Sequence, residues 1–130
     1  MIYVSAFLPS DSLFYVFLVV LVVGFGLFYW IQRIGRLSDT QAKAYLVEGA
    51  LVVDVRPPAR YAEKHLEGVV NLPALTIVEA VQPMVNDKSQ VILCHCETGG
   101  LSGVAVRQLR KAGYTNAFNL GSYKRAASLL

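Results

Sequence analysis

One long apolar stretch dominates the amino-terminal part of the chain. Residues 13–31, LFYVFLVVLVVGFGLFYWI, contain no charged side chain. As a helix they would span roughly 28 Å, which is close to the hydrocarbon thickness of a bilayer. Tyrosine and tryptophan side chains stand near the two ends, where interfacial aromatic residues are common. The pattern predicts a transmembrane helix at 13–31, with a short external tail at 1–12 and a basic linker at 32–37.

The distribution of charge around this stretch indicates its orientation. Residues 1–32 contain no lysine or arginine, whereas Arg33 and Arg36 follow the apolar run directly. Because basic residues stay on the cytoplasmic side of a membrane, the rest of the chain is predicted to be cytoplasmic and the amino terminus external. The lack of an early basic segment and of a small-residue cleavage pattern disfavours a cleaved signal peptide. We therefore expect a single-pass protein of the kind found in a bacterial inner membrane, with the membrane as a partner.

Beyond the linker, apolar strand patterns alternate with helical patterns over residues 38–130. Ser38 with Gln41 three residues later is a capping-box pattern that opens a helix, and Gly49 ends it. The later pattern predicts strands and helical segments in alternation, with strands at 50–55, 69–72, 91–95 and 117–120 and helical segments at 61–66, 75–84 and 103–112. This alternation predicts one α/β domain with a central, mostly parallel sheet flanked by helices.

Two segments at the carboxyl ends of predicted strands carry candidate chemistry. Asp54 and Arg56 follow one strand, and Cys96 follows another. In parallel sheets, ligands bind at this edge. Gly99 and Gly100 form a tight loop before a helix, so backbone N–H groups and the helix N-terminus converge near the sulfur and favour its anionic form. Cys96 is therefore a candidate nucleophile.

Composition and the remaining polar residues narrow the function classes. Twelve basic and nine acidic residues give a net charge of +3, and no aromatic residues interleave with the basic ones, so nucleic acid is not expected as a partner. Cys94 and Cys96 are too close in sequence for a disulfide between them to stabilise the fold. A metal site would need ligands beyond these two and His65, so neither a metal nor another cofactor is expected. Cys94 and His95 are predicted core residues, and His65 a structural hydrogen-bonding residue.

Three motifs in the domain, in order and at matching spacing, resemble those of rhodanese-like domains. The first comprises Asp54-Val55-Arg56, Tyr61, His65, Gly68, Asn71 and Pro73. The second is similar to the active-site loop of the family, C-x-x-G-x-R-S, and reads Cys96-Glu97-Thr98-Gly99-Gly100-Leu101-Ser102. The third comprises Gly113, Tyr114, Asn116 and Asn119-Leu120-Gly121. The resemblance covers about residues 38–122 and implies a rhodanese-like fold.

The resemblance also implies a sulfurtransferase. In this family a cysteine thiolate attacks the outer sulfur of a sulfane donor, becomes a persulfide and passes that sulfur to a thiol or protein acceptor. Cys96 rather than Cys94 takes this position, because only then do the glycine and serine of the loop align. The implied site consists of a nucleophile, a loop that binds the persulfide, and supporting residues: Cys96; Glu97, Thr98, Gly99, Gly100, Leu101 and Ser102; and Asp54, Arg56 and Arg60.

Two positions depart from the family's loop. Leu101 replaces an arginine that would attract an anionic donor, and Glu97 adds negative charge beside the nucleophile. Arg56 or Arg60 at the same edge would compensate in part, as would Arg107, about a turn and a half into the helix, and we expect weak activity with thiosulfate. The alternative is a non-catalytic binding module or sulfur-relay partner at the membrane. A phosphatase of the Cys-x5-Arg type is excluded, since Ser102 stands six residues after Cys96.

Overall fold

The computed structural model describes residues 10–33 and 36–130, and the chain divides into two compact units, Met1–Ile34 and Gly35–Leu130. The described part of the first unit is one helix, α1 (Ser10–Arg33). Its stretch Asp11–Trp30 has a mean hydropathy of 2.4 and is long enough to cross a membrane. No part of this stretch is buried among the described residues, which sets it apart from a core helix, although signal sequences share its composition.

The predicted transmembrane segment, 13–31, falls within α1. Residues 1–9 of the predicted tail and 34–35 of the predicted linker lie outside the described residues. In the second unit, Arg36 forms a parallel β-bridge with Asn119, so the end of the linker joins the sheet of the domain.

The second unit is built on a four-stranded, fully parallel sheet. Its strands are β1 (Leu51–Asp54), β2 (Val70–Asn71), β3 (Ile92–Cys96) and β4 (Ala117–Ser122), in the spatial order β2-β1-β3-β4. Because β1 and β3 are central, the chain leaves both of them at the same edge in the middle of the sheet. The prediction of an α/β domain with a parallel central sheet is confirmed.

Five helices surround this sheet, and sequence patterns gave several of their bounds wrongly. They are α2 (Asp39–Val47), α3 (Pro58–Glu63), α4 (Ile77–Val81), α5 (Gly100–Lys111) and α6 (Tyr123–Leu129). The capping box predicted at Ser38 is present, and its hydroxyl accepts the N–H of Gln41 at 3.2 Å.

Three helical predictions need correction. The helix predicted at 75–84 is a 3-10 turn (Ala74–Thr76) followed by the short α4. The turn predicted at 61–66 is α3, which begins earlier because Pro58 suits the first position of a helix. The helix predicted from 103 begins at Gly100, because Gly99 in a left-handed conformation already serves as its N-cap.

Helix α6 was not predicted at all. It begins where the Ser122 hydroxyl accepts the N–H of Arg125 at 3.1 Å, and it buries Ala126. Ser122 is also the last residue of β4, so strand and helix follow each other without a loop. A helix of seven residues with one buried side chain leaves too little periodicity to recognise in the sequence.

Alternating side chains on the strands divide the core into two layers. Cys94 and Cys96 point to the layer that α4 and α5 cover, where Ile77 and Leu109 are fully buried. Leu93, from the same strand, belongs to the other layer, which α2 and α6 cover. This alternation directs the last residue of β3, Cys96, toward the first turn of α5.

Candidate active site

Cys96 ends β3, and the chain turns at once into α5. Its Sγ accepts hydrogen bonds from the backbone N–H groups of Gly99 (3.0 Å) and Ser102 (3.3 Å). The thiol lies 3.4 Å from the hydroxyl oxygen of Ser102, to which it donates when protonated. Two N–H donors and the positive end of a twelve-residue helix therefore converge on the sulfur. Such an arrangement stabilises negative charge, and we call it the sulfur cradle.

The tightness of the sulfur cradle depends on glycine at position 99. Gly99 has a φ of +95°, in the left-handed region that favours glycine. A Cβ atom there would lie 3.3 Å from the backbone of Gly121 on β4. Backbone conformation and the closeness of β4 thus both disfavour a side chain at position 99, where the N–H group lies 3.0 Å from the sulfur.

Asn119, on β4, ties the sulfur cradle to the sheet. Its amide Nδ2 donates to the carbonyl oxygen of Gly99 at 2.9 Å. Its Oδ1 accepts from the hydroxyl of Ser102 at 2.7 Å and from the N–H of Gly121 at 2.9 Å. One side chain therefore fixes both residues whose N–H groups reach Cys96. The sequence places Asn119 in the third motif but assigns it no role. Its position near the carboxyl end of the strand beside β3 is the feature that indicates a role at the site.

A second network lies on the other side of the thiol and centres on Arg56. The Asp54 carboxylate accepts from its guanidinium Nη2 at 2.7 Å and from Nε at 3.0 Å. The same guanidinium donates to the carbonyl of Lys64 (2.7 Å) and to the carboxylate of Glu97 (3.3 Å), and it lies 4.7 Å from the ring centre of Tyr123. Hydrogen bonding to Asp54 raises the pKa of Arg56 above its usual value. Arg56 is 6% exposed, and its bonds to Asp54 and to the carbonyl of Lys64 hold the surrounding loops together. Its contact with Glu97 offsets part of that residue's negative charge.

A small pocket of about 130 Å³ opens beside Cys96. Its lining comprises seven residues of the two segments singled out in the sequence: Arg56, Pro57, Arg60, Cys96, Glu97, Thr98 and Leu101. Cys96 itself is only 2% exposed, so the pocket is the route by which a small reactant would reach its thiol. A larger cavity of about 400 Å³ is lined by Gly49, Gly68, Met84 and their neighbours, and it contains neither cysteine.

The structure brings all ten predicted site residues to this edge of the sheet. Asp54 and Ser102 are fully buried, and Arg60 lies at the pocket with its guanidinium 3.4 Å from Glu63. Thr98 forms an antiparallel bridge with Ser122. Gly100 is the first residue of α5, and a Cβ atom there would meet nothing closer than 4.0 Å.

Cys94 and His95 are buried, as predicted. Burial, with a smaller contribution from the charge of Cys96, raises the pKa of Cys94 to about 12. Burial lowers the pKa of His95, whose Nε2 lies 4.0 Å from a carboxylate oxygen of Asp54. Neither ring nitrogen of His95 has a hydrogen-bond partner among the described residues. His65 stacks on Tyr61, and its Nδ1 lies 2.8 Å from that residue's carbonyl oxygen, in agreement with a structural role.

These features define an α/β domain with a cysteine thiol held by backbone N–H groups at the carboxyl edge of its sheet. The chain belongs to the rhodanese-like domain family, whose family model matches residues 38–127. The rhodanese-like domain predicted from the three motifs is therefore confirmed.

Named relatives add information on the class of enzyme. The chain is 35% identical over 75 residues to the thiosulfate sulfurtransferase PspE of Escherichia coli, covering 58% of this chain and 72% of the relative. It is 31% identical over 85 residues to the thiosulfate sulfurtransferase GlpE of Pseudomonas entomophila, covering 65% and 76%. These relatives bear out the prediction of a sulfurtransferase.

Solved structures agree with the family assignment. A rhodanese with anions from E. coli has a TM-score of 0.57 at 32% identity and covers 59% of this chain and 91% of its own. The human single-domain sulfurtransferase TSTD1 has a TM-score of 0.61 at 22% identity, covering 72% and 96%. The second likeness concerns the fold alone.

Proposed function

We propose that the protein is a membrane-anchored sulfurtransferase that carries sulfane sulfur as a persulfide on Cys96. The Cys96 thiolate attacks the outer sulfur of a donor, a new S–S bond forms, and the remainder of the donor leaves with the electron pair of the broken bond. An acceptor thiolate then attacks the outer persulfide sulfur and regenerates the Cys96 thiolate. The observation that carries this proposal is the sulfur cradle, in which two N–H donors reach Sγ at 3.0 and 3.3 Å.

The surrounding residues have distinct roles in this proposal. The loop from Glu97 to Ser102 supplies backbone donors that stabilise the thiolate and the persulfide anion. Asp54 and Arg56 hold two loops together by charge-assisted hydrogen bonds, and Arg60 lies at the pocket where a donor enters. The acceptor is a cellular thiol or a partner protein.

Thiosulfate is expected to be a poor donor. Leu101 lines the pocket where the family motif has arginine, and Glu97 places a carboxylate at the same pocket. Of the two arginines that line the pocket, Arg56 already contacts two carboxylates and Arg60 contacts Glu63. A dianion would therefore meet little free positive charge beside Cys96.

The anchor in this proposal is the apolar part of α1, at 13–31, with the tail (1–12) outside and the linker (32–37) and domain (38–130) in the cytoplasm. The apolar helix and the basic residues that follow it support this topology. A reporter fused after Leu130 should be active only in its cytoplasmic form. Export of the domain with loss of the first residues would instead identify α1 as a signal sequence.

Mass spectrometry of the full-length protein in detergent micelles tests the chemistry. After incubation with a sulfane donor, one sulfur atom should be added to Cys96 and removed again by a thiol acceptor. Cys96→Ser should take up none, while Cys94→Ala should still be loaded. No added sulfur with any donor, together with no reaction of Cys96 with iodoacetamide, would contradict the proposal.

A second candidate function is a non-catalytic binding module at the membrane. The observation that favours it is Leu101, which stands where the family motif has arginine. In that case no persulfide would form, and the domain would instead be recovered crosslinked to a membrane partner with equal yield from Cys96→Ser and the unmodified protein.

A further inference from the structure

The pocket beside Cys96 has one apolar wall. Leu101 and Pro57 both line it, and the Leu101 side chain remains 40% exposed although it belongs to the first turn of α5. An exposed leucine next to the nucleophile can bury apolar surface only against something that enters the pocket. The pocket volume of about 130 Å³ leaves room for a donor of a few heavy atoms.

The charges around the pocket are unevenly available to a ligand. Arg56 is held by Asp54 at 2.7 Å and by Glu97 at 3.3 Å, and its side chain is 7% exposed. Arg60 contacts Glu63 at 3.4 Å, but these side chains are 56% and 67% exposed, and such surface pairs are easily broken. Among the described residues lining this pocket, Arg60 is thus the one cation free to pair with a ligand.

We propose that the sulfur donor is an organic sulfane compound with a single negative charge and an apolar substituent, R–SO₂–S⁻ or R–S–S⁻. This proposal rests on the sulfurtransferase function proposed above and names its donor class. The charged end of the donor faces Arg60, and the substituent R packs against Leu101 and Pro57. Thiosulfate would place a second negative charge against this apolar wall, where a charge is poorly solvated.

The reaction with a thiosulfonate balances without any further reactant. The Cys96 thiolate attacks the sulfane sulfur and forms the persulfide bond. The bond between that sulfur and the sulfonyl sulfur breaks, and the sulfinate leaves with the electron pair. With thiosulfate the same step would release sulfite, so the two donors differ in their substituent and not in the chemistry.

Sodium methanethiosulfonate and sodium thiosulfate form a matched pair of probes, because a methyl group in one replaces an O⁻ in the other. The value of kcat/KM is measured for each with the full-length protein in micelles and cyanide as acceptor. Each value is divided by the rate constant of the same donor with N-acetylcysteine, which removes the intrinsic difference in reactivity. The corrected kcat/KM should be at least tenfold higher for methanethiosulfonate.

Variants of the two proposed specificity residues sharpen the test. Leu101→Arg should lower the donor preference at least fivefold, chiefly by improving thiosulfate, whereas the apolar control Leu101→Met should keep it within twofold. Arg60→Gln should raise KM for methanethiosulfonate severalfold with little change in kcat. Circular dichroism checks that each variant is folded, and both positions are partly or largely exposed, so folding should be retained.

The outcomes separate this inference from the proposed function. Equal or better corrected activity with thiosulfate, or a preference that Leu101→Arg leaves unchanged, would overturn the donor class while leaving the sulfurtransferase in place. Absence of sulfur transfer from methanethiosulfonate would overturn the donor class, and the proposed function falls as well only if no donor loads Cys96 and the thiol does not react with iodoacetamide. A methanethiosulfonate preference that falls at least fivefold in Leu101→Arg and stays within twofold in Leu101→Met would establish the donor class.

Discussion

Cys94 and Cys96 are two residues apart on one strand, yet their surroundings give them different chemistry. Cys94 lies in the apolar core, where burial raises its pKa to about 12. Cys96 accepts two backbone N–H groups and lines a pocket. A thiolate is the reactive form of cysteine, so access and donors, rather than the residue type, decide which of the two reacts.

Alkylation distinguishes these two thiols directly. Iodoacetamide at about pH 8 should label Cys96 and leave Cys94 unmodified, because only a small fraction of a thiol with so high a pKa is ionised there. Peptide mapping of the folded protein measures this, and labelling of both residues in urea confirms that each can react. Cys94→Ala should still label at Cys96, whereas faster labelling of Cys94 in the folded protein would refute the assignment.

Asn119 is the residue whose replacement should damage the sulfur cradle most without touching the sulfur. Asn119→Leu removes its bonds to Gly99, Ser102 and Gly121, and at about 1 kcal/mol each the loss should be about 2–3 kcal/mol of unfolding free energy. The comparison variant Ser102→Ala removes one of these bonds together with the contacts of the same hydroxyl to the carbonyl oxygen of Gly99 (3.1 Å) and to Cys96 Sγ (3.4 Å), and it should cost about 1–2 kcal/mol. Denaturant unfolding gives both values; an equal loss in the two variants would argue against a central role for Asn119.

At the scale of elements, the site depends on a close approach between β4 and the loop before α5. The register between β3 and β4 shifts by one residue, from Cys94 opposite Asn119 to His95 opposite Gly121. Gly121 has a φ of +98°, and its backbone packs against Gly99. Irregularity in β4 is therefore what allows the loop to close tightly over the sulfur.

Gly99→Ala tests this approach. Its positive φ and its 3.3 Å distance from Gly121 should together cost about 1–3 kcal/mol and slow alkylation of Cys96. Gly100→Ala, one residue later, has an ordinary φ and open space, so the unfolding free energy should be unchanged or slightly higher. Urea unfolding measures both, and equal stability of the two variants would contradict the steric argument.

The sequence predicts the features that depend on local patterns and misses those that depend on contacts between distant elements. The capping box at Ser38, the strand alternation around Cys96 and the parallel sheet rest on local patterns, and the structure reproduces them. The start of α5, the register shift in β4 and the role of Asn119 depend on contacts between elements distant in sequence. No local pattern encodes such contacts. Only the motif resemblance pointed to Asn119, because it belongs to the third motif.

At the scale of the whole molecule, His95 links folding to pH. Its ring lies fully buried on the opposite face of β3 from Cys96, edge-on to Tyr123 and 4.0 Å from Asp54. Burial lowers its pKa; Asp54, the backbone of Cys96 and Glu97 oppose that effect, whereas Arg56 adds to it. Burial therefore favours the neutral form of the His95 ring in the folded protein, where the Asp54 carboxylate already binds Arg56.

This histidine should make the domain less stable in mild acid. An unfolded histidine has a pKa of about 6.5, so below that pH the unfolded chain binds a proton that the folded chain does not. Stability is therefore fully present above about pH 6.5 and falls as the pH drops toward the lowered folded pKa, with a slope of up to about 1.4 kcal/mol per pH unit. His95→Phe keeps a ring of similar size but cannot take up the proton, so its stability should depend less on pH in this range.

The measurement has to report on the domain rather than on helix α1. The only tryptophan, Trp30, lies in α1, so its fluorescence would follow the wrong unit. Near-ultraviolet circular dichroism of the tyrosines, among which Tyr114 is buried in the domain core, follows the right one during urea unfolding between about pH 5 and 8. The two proteins contain the same carboxylates and differ only at position 95, so the difference between their slopes reports on that position. Identical slopes would show that the buried ring takes up its proton without unfolding, and that Asp54 rather than burial governs its charge.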